Sequence, residues 1–528
     1  MEARSPHRIV AVLVVACLLA LAAVGNAAIR DRPPRVVTHP APPDAAITLA
    51  RQVSSSAWYC PGPLSIGAGA PGGQIVIANL GTRVLTGELV VSGTAGTIRT
   101  ESVEVAPGAS ARYPLPDTGP IRQAAATVLV NGGGAGVEEV AFPSPHTAGR
   151  VPLVAPCSSR VSTSSYVAAG GSRDADNVNL ALYDPGATPA VANVAFSTSN
   201  GPVSPPAFQG VTVGAGELVV LDVGRAIPGR AMIATTITAE GGQIVSGALL
   251  TAARGHGVET ALIAATDAPA SSWRFPPEPA GPGTAAAYAV YNPGSRPAAV
   301  TLTTTGTGGA ATATATVPPG GVVPLATGAV TTAGALRSAE LTVRHGSPVI
   351  CASEVVLERA LPAAMVRRRV AAVEIARVGG RARRRRVIKV AVVHGGPQAP
   401  TLLPALPAGY GVGVGVSAPA RRWVLPVGIA DTSTGELVTV ANTSGRAATV
   451  RLRLLRSAGS PALHGPATLV LPPGGNVTLA LSGLVAPAGD FSLVVDAAAP
   501  VVVGASLYAA GSPKAVGLAT VIGLPILG

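Results

Sequence analysis

Val450, Leu452 and Leu454 alternate with Arg451 and Arg453 along Ala448 to Leu454, so one set of side chains faces a core and the other faces water. Short apolar runs of this kind recur through the chain. Glu436 to Asn442, Ala467 to Leu471, Asn476 to Leu481 and Phe491 to Val495 are examples, each rich in Val, Leu, Thr or Ala. Gly, Pro and Asn interrupt the runs every 8 to 12 residues. Turns such as Asn292-Pro293-Gly294-Ser295 and Asp184-Pro185-Gly186 use proline to preset φ and glycine to permit a positive one. No helical period is sustained after residue 28, so the pattern predicts short antiparallel strands.

The runs are organised into a repeat. Trp58, Asn79 and Pro107-Gly108 are followed by Tyr166, Asp184 and Ala215-Gly216. Trp273, Asn292 and Pro319-Gly320 come next, then Trp423, Asn442 and Pro473-Gly474. From the Asn or Asp to the turn glycine the gaps are 29, 32, 28 and 32 residues. About seven short strands per unit of roughly 100 residues predict an all-β fold of four tandem immunoglobulin-like β-sandwich repeats. The expected boundaries are 51–155, 156–265, 266–357 and 422–528, with 358–421 a disordered Arg-rich insertion. A parallel β-helix or another solenoid is the competing fold, but solenoid coils repeat at shorter spacing. Aromatics make up only 3% of the residues, so Val, Leu and Ala must fill the cores. Each fully buried large apolar side chain contributes roughly 1.5–3 kcal/mol.

The N-terminus changes the setting. Arg4 and Arg8 precede an uncharged, mostly apolar run of 20 residues from Ile9 to Ala28, so 1–30 is expected to be a signal peptide or transmembrane helix. Cys17 faintly matches a lipoprotein signal, but apolar residues continue past it and favour a buried thiol. Segment 31–50 reads as a Pro-rich spacer of polyproline type. An exported chain meets an oxidising compartment. Cys60 and Cys157 enclose nearly one whole unit and are the expected disulfide, against two unrelated thiols. Cys351, in Pro348-Val349-Ile350-Cys351, is expected to be a buried, unpaired hydrophobe.

The net charge of +12 is local. Successive turn glycines are 108, 104 and 154 residues apart, which places an extra 45 to 50 residues between about Leu357 and Arg422. Segment 357–422 holds 13 Lys/Arg against 2 Asp/Glu, a net of +11, and the remainder holds 25 against 24, a net of +1. Arg367, Arg368, Arg369, Arg383, Arg384, Arg385, Arg386 and Lys389 are the candidate contacts for an anionic surface, either envelope polymer or lipid headgroup. A solvated loop without a partner and a reading-frame error in the gene are the two other readings. Nucleic acid is not expected as a partner, because the run lacks interleaved aromatics and the chain is exported. The following Tyr410 to Val416 run of alternating Gly and Val reads as a flexible or edge segment.

Catalytic signatures are missing. The seven histidines are isolated, with no His-x-x-x-His pair. There is no Gly-x-Ser-x-Gly elbow and no phosphate-cradling Gly-rich loop that opens a helix. No catalytic residue, metal or cofactor is therefore expected. Paired carboxylates for glycoside chemistry stay open, since a fold can gather scattered acids. Arg173-Asp174-Ala175-Asp176-Asn177-Val178-Asn179 is dense in oxygen ligands. However, Val178 stands where a calcium loop needs a ligand, and no bidentate Glu follows, so it reads as a polar turn. Trp58, Trp273 and Trp423 read as buried strand anchors rather than sugar-stacking platforms.

Trp58-Tyr59-Cys60-Pro61, Ile75 to Asn79, Pro156-Cys157-Ser158 and Leu182-Tyr183-Asp184-Pro185-Gly186 resemble an actinobacterial family of exported or membrane-anchored proteins, known only as a domain of unknown function. The resemblance covers roughly 50–350 and 420–520 and breaks at the Arg-rich insertion. It implies an N-terminal membrane segment, an extracytoplasmic body and a cell-envelope role, since members are encoded near envelope glycosyltransferases. It supplies no catalytic residue. The expected function is a non-enzymatic extracytoplasmic envelope protein acting as scaffold or binding module, with an envelope glycan or protein as partner. The alternative is a glycan-binding or glycan-remodelling accessory enzyme.

Overall fold

The computed structural model describes residues 55–115, 119–144, 151–306, 309–328, 335–358, 364–367, 370–371, 391–393, 400–403, 406–429, 431–456, 468–485, 491–510 and 516–526. The apolar run 9–28, the Pro-rich spacer, Arg368, Arg369, Arg383 to Arg386 and Lys389 lie outside them. Among the described residues, no helix is long and apolar enough to cross a membrane.

The chain is all-β. The first set of strands is β1 (Ser55–Ile66), β2 (Gly73–Asn79), β3 (Leu85–Gly93), β4 (Gly96–Val105), β5 (Ser110–Pro114), β6 (Arg122–Asn131), β7 (Ala135–Ala141) and β8 (Leu153–Pro156). They form two sheets, ordered β1-β6-β3-β4 and β5-β2-β7-β8. The second set is β9 (Ser164–Val167), β10 (Asn177–Tyr183), β11 (Ala190–Thr198), β12 (Gly201–Val203), β13 (Val211–Val213), β14 (Leu218–Asp222), β15 (Ile233–Glu240), β16 (Val245–Arg254) and β17 (Gly257–Ala264). Its sheets run β12-β11-β15-β9, with β13 also on β11, and β14-β10-β16-β17.

The third set is β18 (Ser272–Ala280), β19 (Thr284–Tyr291), β20 (Ala298–Gly306), β21 (Gly309–Val317), β22 (Val322–Leu325), β23 (Ala335–His345) and β24 (Ile350–Leu357). Four short strands follow: β25 (Ala364–Arg367), β26 (Val370–Ala371), β27 (Ala391–Val393) and β28 (Pro400–Leu403). Then β29 (Gly409–Val414) returns to the third set, giving sheets β18-β23-β20-β21 and β22-β19-β24-β29. The Gly-Val run is therefore an edge strand, with Gly409 to Val412 buried. The last set is β30 (Ala420–Gly428), β31 (Thr434–Asn442), β32 (Ala448–Arg456), β33 (Thr468–Leu471), β34 (Asn476–Ala480), β35 (Phe491–Ala509), β36 (Leu518–Ile522) and β37 (Leu524–Pro525). Here β35 serves two layers: residues 491–497 pair with β32, and 501–509 pair with β31.

The neighbours recur. The opening strands β1, β9, β18 and β30 pair with β6, β15, β23 and β35. The second strands β2, β10, β19 and β31 each lie between two partners, and β8, β17, β29 and β36 close one sheet of each set. Pairing is antiparallel except where β27 meets β33, which rules out a parallel solenoid for the described strands. The cores are built mainly of Val, Leu, Ile and Ala, and the three tryptophans are buried within them, at 1, 3 and 0% exposure. Trp273 Nε1 donates to Val349 O at 2.7 Å, and Trp423 Nε1 donates to Val501 O at 3.0 Å.

Each repeat marker has a structural task. Asn292 Oδ1 accepts from Gly294 N at 3.0 Å, while its Nδ2 donates to Arg296 O and Val317 O at 2.8 and 3.1 Å. Asn79 and Asn442 make the same three-way link from turn to strand. The turn glycines Gly108, Gly216, Gly320 and Gly474 all have φ between 61° and 69°, the left-handed region that side chains resist. The repeat is thus a pattern of backbone requirements.

Candidate functional site: polar joints between the sheet sets

The four sets touch in a closed cycle. Opening strand β1 packs on β10 and β16, β18 on β31 and β35, and β30 on β2 and β7. Between the second and third sets, Tyr166 meets Tyr291 with ring centroids 6.5 Å apart, and Thr236 Oγ1 bonds Tyr291 OH at 2.6 Å. The edge strands complete the cycle, β8 touching β17, β17 touching β29, β29 touching β36, and β36 touching β8. Small residues on the receiving strands make room for prolines on the opening strands. A Cβ at Gly247 would lie 2.9 Å from Pro61 Cγ, and one at Gly504 would lie 2.5 Å from Pro276 Cγ.

Part of the charged chemistry sits in these joints. Between the second and third sets, Arg254 bridges Asp176 Oδ1 at 3.2 Å and Glu354 Oε1 at 3.0 Å, and its guanidinium lies 4.9 Å from the Tyr410 ring centre. Glu259 Oε2 accepts from Tyr410 N at 3.1 Å, and its Oε1 bonds His256 Nε2. Burial pushes the Glu354 carboxyl up, against the pull of Arg254. Burial also pushes the Tyr410 phenol well up.

Where the last set meets the first, three ionisable side chains grip consecutive peptide groups. Val427 N donates to Glu138 Oε2 at 2.8 Å, Arg112 Nη2 donates to Gly428 O at 2.8 Å, and Ile429 N donates to Glu436 Oε2 at 2.8 Å. Both glutamates are fully buried. Burial raises Glu138 well above the usual carboxylate range, with Glu436 adding to the rise, and lifts Glu436 to about 8. Arg112 pulls both down. Glu139 faces the other way, accepts from Gly62 N at 2.9 Å and is lifted by burial to about 8. In the third set, Glu278 accepts from Ser353 Oγ at 2.6 Å, and burial lifts it to about 7. The cavity beside Glu278, lined also by Thr284, Tyr288, Thr304, Thr327 and Arg337, is about 50 Å³. That is far below the roughly 300 Å³ at which small-molecule sites begin.

The sequence-derived candidates fall as follows. Cys60 and Cys157 are joined by a disulfide, S–S 2.02 Å, and both are buried. Cys351 is free and buried. Arg367 ends β25, and the other seven basic candidates lie outside the described residues. The polar turn at 173–179 uses its oxygens on the protein itself. Asp176 Oδ1 takes Ala253 N at 2.7 Å as well as Arg254, and Asn177 Oδ1 takes Val178 N and Gly224 N at 2.8 and 2.9 Å. Among the described residues, no three His, Cys, Asp or Glu side chains are placed to hold a metal ion. The joint glutamates escaped sequence reading. Their signal is an acid inside an otherwise apolar strand, as in Val137-Glu138-Glu139-Val140 and Gly435-Glu436-Leu437.

Antiparallel sheets that meet through buried acids, with a disulfide across the first set, define a β-rich protein. The chain belongs to the family of unknown function DUF5719, whose model matches residues 69–317 and 407–518. No curated protein matches it. The two matched stretches leave out 318–406, which contains the Arg-rich run, and resume just before β29.

Proposed function

We propose that the protein is a non-enzymatic, extracytoplasmic cell-envelope scaffold or binding module, built as four tandem immunoglobulin-like sandwiches behind an N-terminal membrane or signal helix. One observation carries this reading: the buried acids that could do chemistry are used between or within sheet sets, as acceptors for Val427 N, Gly62 N, Ile429 N and Tyr410 N. A buried carboxyl group that accepts a backbone N–H holds two segments in register. A hydrolytic pair instead needs two carboxyl groups facing a substrate across about 5–10 Å. The disulfide supports an oxidising location. The basic run supports a secondary contact with anionic polymer or headgroups.

The test is co-sedimentation of the full-length protein with isolated envelope polysaccharide, followed by sizing of the polymer. Retention with the polymer unchanged is the expected result. Polymer shortening that disappears in Glu259→Gln or Glu354→Gln would transfer the protein to the glycan-remodelling class. Deleting 372–390 is expected to weaken retention on acidic polymer at low salt and to leave little difference at high salt.

A further inference from the structure

A sheet that ends in open strands exposes a row of N–H and C=O groups, and proteins blunt such edges with charges, bulges, prolines or short strands. The three edges equivalent to β21 in the other sets are blunted in these ways or covered. β4 carries Arg99, Glu101 and Glu104, and a register shift interrupts its pairing with β3. The matching edge of the second set is broken into β12 and β13, three residues each, with Pro202 in β12. β33 is four residues long and is covered by β27, through Ala391↔Leu469 and Val392↔Val470.

β21 has none of these defences. Its nine residues, Gly-Ala-Ala-Thr-Ala-Thr-Ala-Thr-Val, contain no charge and no proline. Its register with β20 runs unbroken from Ala298↔Val317 to Gly306↔Gly309. Among the described residues it pairs with β20 alone. Thr312, Thr314 and Thr316 are exposed on one face, while Ala313 and Ala315 lean on the core from the other. The strand is also self-complementary. Antiparallel pairing with a second β21, centred on Ala313, sets Thr312 against Thr314 and Ala311 against Ala315, with no like charges opposed.

We propose that β21 is an interaction edge that pairs with β21 of a second copy of this chain, joining two sheets across a twofold axis. The geometry is isologous and therefore closes at two copies. β27 on β33 shows an added strand seated on the equivalent edge within the same chain. An edge of nine residues makes a small interface, so the dimer is reversible and dissociates on dilution. This goes beyond the scaffold reading and does not depend on any glycan ligand.

The test is the mass of the full-length chain over a concentration series, by light scattering or sedimentation. The expected result is conversion from one to two copies as concentration rises. Thr312→Lys with Thr314→Lys sets lysine against lysine across the axis and is expected to leave a monomer. Both side chains are exposed, and unchanged circular dichroism and thermal midpoint would exclude unfolding as the cause. Thr312→Lys with Thr314→Glu sets Lys against Glu in both directions and is expected to restore the dimer. A wild-type chain that stays monomeric throughout, or a dimer that survives the double lysine change, overturns the proposal. Failure of the Lys/Glu variant to recover overturns the Ala313-centred register.

Discussion

At the scale of single residues, the geometry shared by the turns at Asn79, Asn292 and Asn442 explains why particular amino acids stand at the markers. Asn is needed where one side chain must both accept from the turn and donate across to a neighbouring strand. Asp184 breaks this pattern, since its carboxylate accepts from Gly186 N at 2.7 Å but has no amide to donate, and burial raises its pKa. Asp184→Asn is therefore expected to raise the thermal midpoint at neutral pH. Asn292→Ala is expected to cost about 1–3 kcal/mol in chemical denaturation, because it strands the buried groups that Asn292 satisfied. The glutamates predict a pH dependence. Glu139, Glu278 and Glu436 are raised from 4.5 to about 8, 7 and 8. Between those limits the folded chain holds protons that the unfolded chain has released, so this contribution to stability is complete below about pH 4.5 and is lost as pH rises through 7 to 8. The melting temperature is expected to be higher at pH 5 than at pH 8. Glu139→Gln should raise the value at pH 8 and leave that at pH 5 nearly unchanged. A flat profile in the wild type would contradict this.

At the scale of elements, strand identity was largely legible in the sequence and strand partnership only partly so. Val450, Leu452 and Leu454 announced β32 because a period of two depends only on near neighbours. Asn442 and Gly474 announced their turns because each meets a local backbone demand. The joints obey no local rule: Val427 and Glu138 meet across 289 residues, and although Glu138 stands out as an acid in an apolar strand, nothing near it in sequence names its partner. The Gly-Val alternation of β29 was ambiguous for the same reason, since its glycines are set by other strands. A Cβ at Gly409 would lie 2.7 Å from Leu518, and one at Gly411 would lie 3.1 Å from the Thr520 side chain. Gly504 has the same role under Pro276. Gly504→Val is expected to cost roughly 1–3 kcal/mol by overpacking that joint, and Ser506→Ala much less, as read by denaturant midpoints.

For the whole molecule, the Cys60–Cys157 bridge and the cycle of contacts act on different lengths of chain. The bridge spans 97 residues and ties the opening strand of the first set to the residue after β8. Loop-closure entropy assigns such a bridge about 4–5 kcal/mol. Reduction is therefore expected to lower the thermal midpoint by many degrees, and Cys60→Ala with Cys157→Ala should abolish the difference between oxidised and reduced samples. An unchanged midpoint on reduction would mean that packing alone fixes the first set.

The contact of β30 with β2 and β7 also has a consequence in time. Glu138 and Gly136 are made early, but the groups that cover them, Val427 N and the side chain of Val424, are made 289 or so residues later. At roughly 5–20 residues per second of synthesis, that face waits tens of seconds for its cover. A nascent chain interrupted before β30 carries a bare, small-residue strand in which Glu138 lacks its Val427 partner, and that interval is when a chaperone or protease would have to recognise it.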